Sequence, residues 1–516
     1  MNSKTRSKKG WLAPAFFALI VLFGYPEVFG QGSAADLIIV NANVRTMASA
    51  QPRAEAIAVS GGKIFAVGSN KTILALAGTE TKKIDAKGKL VLPGFNDAHV
   101  HFASIGNIFS SIKLTDLKSP KEFVERIAFF TSVLPKRRWI LGSGWDNRAW
   151  LPNDPPTRDL IDKISPDNPV FIYNWDATAV FTNAAALKIA GIDDSTKNPA
   201  DGSIVRDNEG KATGVLRGTA IQLVRRFVPA DHMKNLPEII ETASNYAASL
   251  GITSVQDVHS DDLVDVLRGL ENQGKLKTRV YECTTLADWK KLAASGVKAA
   301  DGDAMVRSGC LKFFAEDETE DVAQLEKDIA GADKAGLQIA IHAIGSKPNE
   351  IVLTAFEKAI KSNGPRDRRF RVEHAQNVLP KDISRFANTN IIASLQPWLF
   401  YGESGLSSDS YNKMFSANIP IAFGSDASIT EFSPLFGIYS AINGKNAFSV
   451  EQAVRAYTLG SAYAEFQEKI KGTIEVGKLA DFVILSEDIF SIDRSKIRYA
   501  KVESTIVGGR VIFQSN

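Results

Sequence analysis

The sequence predicts an α/β protein built on a (β/α)8 barrel, with a composite β-sandwich domain contributed by both ends of the chain. Three observations predict it. Short apolar runs alternate with amphipathic helical stretches through the middle of the chain, the pattern of parallel βαβ units. Both ends are strand-rich and carry Gly-Gly turns of the hairpin kind. Several central runs stop on a histidine or aspartate, as strand ends do at the mouth of a catalytic barrel.

Residues 1–30 read as a signal peptide. A basic stretch, MNSKTRSKK, precedes the apolar WLAPAFFALIVLFG, which is short for a bilayer span, and Val28 and Gly30 offer a cleavage site before Gln31. Export to a periplasm or to the exterior follows, with no stable membrane span after cleavage. Lys4, Arg6, Lys8 and Lys9, set against Glu27, account for the whole formal charge of +3, so the rest of the chain is near neutral. That balance argues against a nucleic-acid partner.

Residues 31–88 and 470–516 form the expected β-sandwich. ADLIIVNANVRTM, AEAIAVSGGKIFAVGS and KKIDAKGKLVLPG read as a meander turning at Gly61-Gly62; GTIEVGKLADFVILSED and VESTIVGGRVIF repeat the pattern, turning at Gly508-Gly509.

Residues 89–469 carry the barrel. Candidate strands begin near Leu90, Trp139, Val170, Ile252, Arg279, Cys310, Gln338, Phe370, Ile391 and Ile419, two too many for an eightfold barrel. Taking Leu90 as the first strand and Ile419 as the eighth assigns Trp139 and Val170 to an insertion over residues 105–245. Loops after barrel strands emerge at the catalytic face, so this insertion is expected to act as a lid-like subdomain. The two cysteines, Cys283 and Cys310, fall in neighbouring strands and are expected to be buried free thiols. No Cys-x-x-Cys occurs, which excludes a sulfur-ligated zinc.

The candidate chemistry lies at the strand ends. His99 and His101 close LVLPGFNDAHVH, and alternation along a strand points both to one side. His342 follows LQIAI and His374 follows FRVE, so four of the six histidines end apolar runs. Asp426 ends IPIAFGSD in the same way, and Lys312 sits inside the apolar GCLKFFAED. In the barrel register these six residues belong to strands one, four, five, six and eight, and they converge on one face. Neutral imidazoles with hard oxygen donors suit zinc or another first-row divalent ion.

In PGFNDAHVH, CLKFFA, IHAIG, RVEHAQ, ASLQPW, AFGSDAS and GTIEVGKLADFVIL, the chain resembles the amidohydrolase superfamily of metal-dependent hydrolases. Through GSGWDNRAW, PPTRDLID, SPDNPVF and GITSVQD it is most similar to the branch that includes N-substituted formamide deformylase, amidohydrolase family 3. The resemblance implies that His99, His101 and Asp426 hold a buried metal, that His342 and His374 hold a more exposed one, and that Lys312, carboxylated by carbon dioxide, bridges the two. A single metal beside a plain lysine is the competing arrangement. The implied reaction is attack on a carbonyl by a metal-bridging hydroxide, with Asp426 taking the proton and passing it to the leaving nitrogen. Glu373 and Gln376 are placed to orient ligands.

Two positions depart from the branch. NWDATAVFTN carries Ala177 and Thr178 where a histidine in an Asp-Gly-His segment is usual, and Glu316-Asp317 replaces the usual Asp-Gly after the lysine strand. Trp145, Trp150, Trp175 and Phe181 in the insertion, and Trp398, Phe400 and Tyr401 after strand seven, favour an apolar or aryl N-substituent. Of these residues, Trp145, Thr178 and Trp398 are the expected substrate contacts. The sequence therefore predicts an exported binuclear amidohydrolase acting on a linear amide, N-acyl or N-formyl small molecule. The alternatives are an esterase, lactonase or cyclic amidase on the same site, and a non-catalytic ligand-binding relative. Homo-oligomerisation is left open.

Overall fold

A computed structural model describes residues 34–515, apart from 110, 152, 230–234, 261, 318, 320, 401–407 and 444–447. The predicted signal peptide and Tyr401 lie outside the described residues. Among the described residues no helix is long and apolar enough to cross a membrane.

Eight parallel strands form the central sheet: β1 (Phe95–Val100), β2 (Ile252–Ser260), β3 (Arg279–Thr285), β4 (Val306–Ala315), β5 (Gln338–Ile344), β6 (Arg371–Gln376), β7 (Ile392–Leu395) and β8 (Ile421–Phe423). Their spatial order follows the chain order. The ring closes where Val100 bridges Ala427 in parallel, with Asp426 N–H donating to the His99 carbonyl at 2.8 Å and His101 N–H to the Ala427 carbonyl at 2.7 Å. The predicted (β/α)8 fold is thus present. Outward-facing strand residues and the surrounding helices share one large apolar core, which includes Phe95, Ile252, Ile339 and Phe356.

The apolar run that begins at Leu90 holds two strands rather than one. Leu90–Pro93 pairs antiparallel with Phe482–Leu485 and in parallel with Asn43–Arg45, inside the terminal β domain. Pro93 is the last residue of that strand, and Gly94, whose N–H donates to the Asp481 carbonyl at 3.0 Å, leads the chain into β1. The first barrel strand therefore starts at Phe95, and the fourth starts at Val306 rather than Cys310.

Two sheets make up the terminal domain. One has the order Lys63–Gly68, Ala56–Ser60, Ala35–Val40 and Ala77–Asp85; the other runs from Arg510–Gln514 through Val502–Val507, Phe482–Leu485 and Leu90–Pro93 to Asn43–Arg45 and Arg53–Ala54. Leu37, Ile57, Val91, Phe482 and Ile506, drawn from both sheets and both ends of the chain, share one core. Burial of that shared face is what holds the domain together.

Between β1 and β2 a separate six-stranded sheet is inserted, in which Ile140–Trp145 and Val170–Asn174 are parallel neighbours. Alternating residues split between two cores: Ile172 and Phe181 pack with helix Pro120–Val133 on one side, while Phe171 and Val180 pack with Leu187 and Val224 on the other. The sheet is tied to the barrel by Tyr246, whose ring lies 4.8 Å from that of Phe109 and 5.8 Å from that of Phe432, in the segment after β8.

Cys283 and Cys310 are not free thiols. They are register partners on β3 and β4 and are joined by a disulfide across a Cα–Cα distance of 4.3 Å. Both are fully buried with Tyr281 and Val258. Neighbouring strands were read from the sequence, but the register that sets the two sulfurs opposite each other is a property of the closed sheet.

Candidate metal centre

The C-terminal mouth of the barrel gathers six side chains from five strands or strand ends. His99 lies on β1 and His101 just beyond it; Lys312 lies on β4, His342 on β5, His374 on β6, and Asp426 follows β8. Four imidazoles run in a chain: the ring centres of His101 and His99 are 5.8 Å apart, those of His99 and His374 4.9 Å, and those of His374 and His342 4.4 Å. Asp426 Oδ1 lies 3.2 Å from His101 Nε2 and 3.4 Å from His99 Nε2. One donor atom each from His99, His374 and Asp426 falls within 4.8 Å of the others, close enough to hold a single ion.

The local backbone is bent to this end. His374 has a φ of 69° and Asp426 a φ of 61°, left-handed conformations that are uncommon outside glycine. Each costs about 1–3 kcal/mol, which the surrounding packing offsets. Gly424 lets the end of β8 approach β1: a Cβ there would sit 2.5 Å from the backbone nitrogen of His99. Any larger residue at 424 would push the Asp426 segment away from His99.

Charge is arranged for cation binding. Burial, reinforced by the Lys312 ammonium, lowers the His342 imidazole to about 4, and burial beside His99 and His342 holds His374 well below the usual histidine range. Both rings are therefore neutral and able to coordinate at pH 7. Burial works against ionisation of Asp426, but the imidazoles of His101 and His99 outweigh it and keep the carboxylate charged. Lys312 is almost wholly buried, and its Nζ has no hydrogen-bond partner among the described residues. Desolvation lowers this amine to about 8, against the opposing pull of Glu373 and Asp426.

An unpartnered amine in a buried ring of imidazoles and carboxylate is a costly arrangement for the bare protein. It suits a site that binds a divalent cation with the lysine converted to an oxygen donor. The donor set therefore fits the metal that the sequence implies.

Glu373 lies behind His99, its Oε2 at 2.7 Å from His99 Nδ1, and it accepts from Arg371 Nε through Oε1, also at 2.7 Å. Arg371 is itself pinned by the Ala98 carbonyl at 2.6 Å and by Gln256. Burial raises the Glu373 carboxyl, but the Arg371 guanidinium and His99 more than reverse this and hold it ionised. The pair fixes the His99 tautomer so that Nε2 faces the cluster. Glu373→Gln can accept from only one of its two partners, so metal affinity should fall about 10–100-fold in a chelator competition titration. Unchanged affinity would remove Glu373 from this role. Gln376 is buried three residues on, and its backbone carbonyl accepts from Gly345 N–H at 3.1 Å.

The expected substrate contacts are dispersed. Trp145 is buried in the core of the insertion, where its indole N–H donates to the Ile172 carbonyl at 3.2 Å, leaving no face for a substrate. Thr178 is exposed, and its hydroxyl donates to Asp176 at 2.7 Å. Trp398 is half-buried in the turn that follows β7.

Sequence reasoning passed over Asp97. Its Oδ1 accepts from the backbone N–H of His99 at 3.1 Å and of Ser425 at 2.9 Å, tying the two ligand-bearing segments together. Burial pushes this carboxyl up to about 6. The alternation that aligns His99 with His101 includes Asp97, so a signal was present. Arg371 gave none, because it reads as an ordinary strand residue.

Comparisons with known proteins agree with this geometry. The profile of the amidohydrolase family matches residues 82–513. The chain is 32% identical to Protein LONG AFTER FAR-RED 3 of Arabidopsis thaliana, over 93% of its own length and 92% of the relative. It is 29% identical to the putative amidohydrolase YtcJ of Bacillus subtilis (92% and 98% covered), and 26% identical to N-substituted formamide deformylase of Arthrobacter pascens (92% and 97% covered). Among solved structures, an uncharacterized metal-dependent hydrolase from Pyrococcus furiosus superposes with a TM-score of 0.59 at 25% identity, covering 88% of this chain and all of that one. With four imidazoles, a carboxylate and a buried lysine converging at a barrel mouth, and with the family profile spanning both the barrel and the terminal β domain, the chain belongs to the amidohydrolase family of carbon–nitrogen hydrolases.

Proposed function

We propose that this protein is an exported, binuclear hydrolase that cleaves the carbon–nitrogen bond of a linear amide, an N-acyl or an N-formyl compound. The observation that carries the reading is the buried, unpartnered Lys312 amine set within the ring of His99, His101, His342, His374 and Asp426. In this reading His99, His101 and Asp426 would hold one ion, His342 and His374 would hold the second, and Lys312, as its carbamate, would supply the centre with oxygen donors. With its amine lowered to about 8, Lys312 has a sizeable neutral fraction available to combine with carbon dioxide at physiological pH. Bound divalent ions, zinc being the expected one, would supply an acidified water and a Lewis acid for the substrate carbonyl.

The chain's own groups do the rest. Asp426, kept ionised by its two imidazole neighbours, accepts a proton at its carboxylate and returns it to the departing nitrogen. Arg371 and Glu373 hold His99 in place, and Trp398, in the turn that follows β7, is the expected substrate contact. The N-formyl option draws support from the similarity to N-substituted formamide deformylase over 92% of the chain. Export is supported by the basic-then-apolar N-terminal segment and by the Cys283–Cys310 disulfide, a bond that persists in oxidising compartments.

A mononuclear hydrolase is the second reading. The compact trio of His99, His374 and Asp426, which mixes ligands of both proposed ions, could hold one metal alone. The test is turnover of a panel of anilides, formamides, esters, lactones and cyclic amides, measured together with metal content. Chelator-sensitive hydrolysis of linear amides or formamides is expected. Turnover of esters, lactones or cyclic amides without linear amides would overturn the assignment, as would activity indifferent to metal removal.

A further inference from the structure

A second hollow opens on the same face of the barrel, beside the metal cluster. This cavity, of about 570 Å³, lies between the ends of β3 and β4 and the first turns of helix Val322–Ala335. Leu286, Phe313, Phe314 and Leu325 give it apolar walls, while Glu316, Asp321 and Asp328 supply carboxylates. Among the described residues no lysine or arginine lines it.

The cavity and the metal cluster share a wall. The Phe314 ring is centred 5.3 Å from that of His342, and Glu316 Oε1 lies 3.5 Å from His342 Nε2. On the cluster side, the unpartnered Nζ of Lys312 lies 4.6 Å from the centre of the same Phe314 ring. The two aspartates are held in position: Asp328 accepts from Trp289 Nε1 at 2.8 Å and from Gln324 Nε2 at 3.1 Å, and Asp321 accepts from Gln324 N–H at 2.9 Å. Glu316 has no such anchor and is more than half exposed, facing both the cluster and the cavity.

Topology decides which part of a substrate reaches this cavity. In the closed ring of eight strands, β4 stands opposite β8. A carbonyl seated on the cluster with its leaving nitrogen towards Asp426, after β8, directs its acyl chain across the mouth towards β4. We propose that the β3–β4 cavity is an acyl-side specificity pocket that receives an apolar arm ending in a cation, such as a protonated primary amine. The inference rests on the proposed amide hydrolysis and on Asp426 as the proton carrier to nitrogen. Phe313, Leu286 and Leu325 cover the methylenes of the arm, and its charge ends among three carboxylates and near the face of Phe314. An anionic terminus meets like charge in a space that no lysine or arginine lines among the described residues.

Two measurements test it. The first is KM and kcat for 4-nitroanilides that share a leaving group and differ in the acyl part: acetyl, hexanoyl, 6-aminohexanoyl and monoadipoyl. The 6-aminohexanoyl anilide should have a KM about tenfold below that of the hexanoyl compound, with the adipoyl compound weakest. Glu316→Lys should reverse the order of the two charged substrates. The second measurement does not depend on turnover: calorimetric binding of n-hexyltrimethylammonium, which cannot coordinate a metal, against 1-hexanol. The cation should bind about tenfold more tightly to the metal-loaded protein, and Glu316→Lys should abolish that advantage. Hydrolysis of the acetyl anilide without discrimination among the longer acyl groups overturns the pocket and leaves the proposed function intact. Cation binding with no anilide hydrolysed overturns the function and the acyl-side assignment together. Equal binding of cation and alcohol overturns the pocket outright.

Discussion

Asp426→Asn is expected to lower kcat on a linear amide by about two orders of magnitude or more while the chain stays folded. Asparagine matches the shape of aspartate and keeps an oxygen that can face His101 and His99, which lie 3.2 and 3.4 Å from Asp426 Oδ1. It cannot take up a proton or carry one to the departing nitrogen. The left-handed backbone at this position, with its φ of 61°, is tolerated by asparagine as readily as by aspartate, so the substitution adds no strain of its own. The measurement is steady-state kinetics with a metal assay on the same preparation. Near-normal turnover with full metal content would remove Asp426 from proton transfer.

Lys312→Ala is expected to reduce the metal bound per chain and to lower activity by about a hundredfold or more, since the proposed binuclear centre would lose the anionic donor shared by its ions. The far-ultraviolet circular dichroism should be unchanged. Lys312 makes no hydrogen bond in the described structure, so its removal leaves no polar partner stranded. The space vacated by the side chain should admit a short carboxylic acid, and propionate in the buffer should restore part of the metal content and activity. A Lys312→Ala protein with two ions and wild-type turnover would show that the amine has no part in the centre.

Much of this architecture was legible in the sequence because it follows from periodicity. Strand ends bearing His99, His101, His342, His374 and Asp426 are local features, and the rule that such ends share one face of a barrel carried them into a single cluster. The surplus of two strands was assigned to an insertion for the same reason, and Ile140–Trp145 and Val170–Asn174 do pair in a sheet of their own. What could not be read was register and depth. The break at Pro93-Gly94 was visible, yet nothing local states that Leu90–Pro93 pairs with a strand nearly 400 positions later, at Phe482–Leu485. The opposition of Cys283 and Cys310 likewise depends on how β3 slides against β4. Trp145 looked like a pocket residue because tryptophans near catalytic mouths often are, but the parity of its strand turns it into the core of the insertion. Arg371, which holds Glu373 against His99 inside the barrel, is the member of that series that the sequence marks only as polar.

The most direct test of the central claim is a crystal structure of the active, metal-replete enzyme combined with a metal count per chain. Two divalent ions, with electron density for a carboxyl group on the Lys312 amine, are the predicted result. An unmodified lysine beside one tightly bound ion in fully active protein would contradict the binuclear account and leave a mononuclear hydrolase in its place.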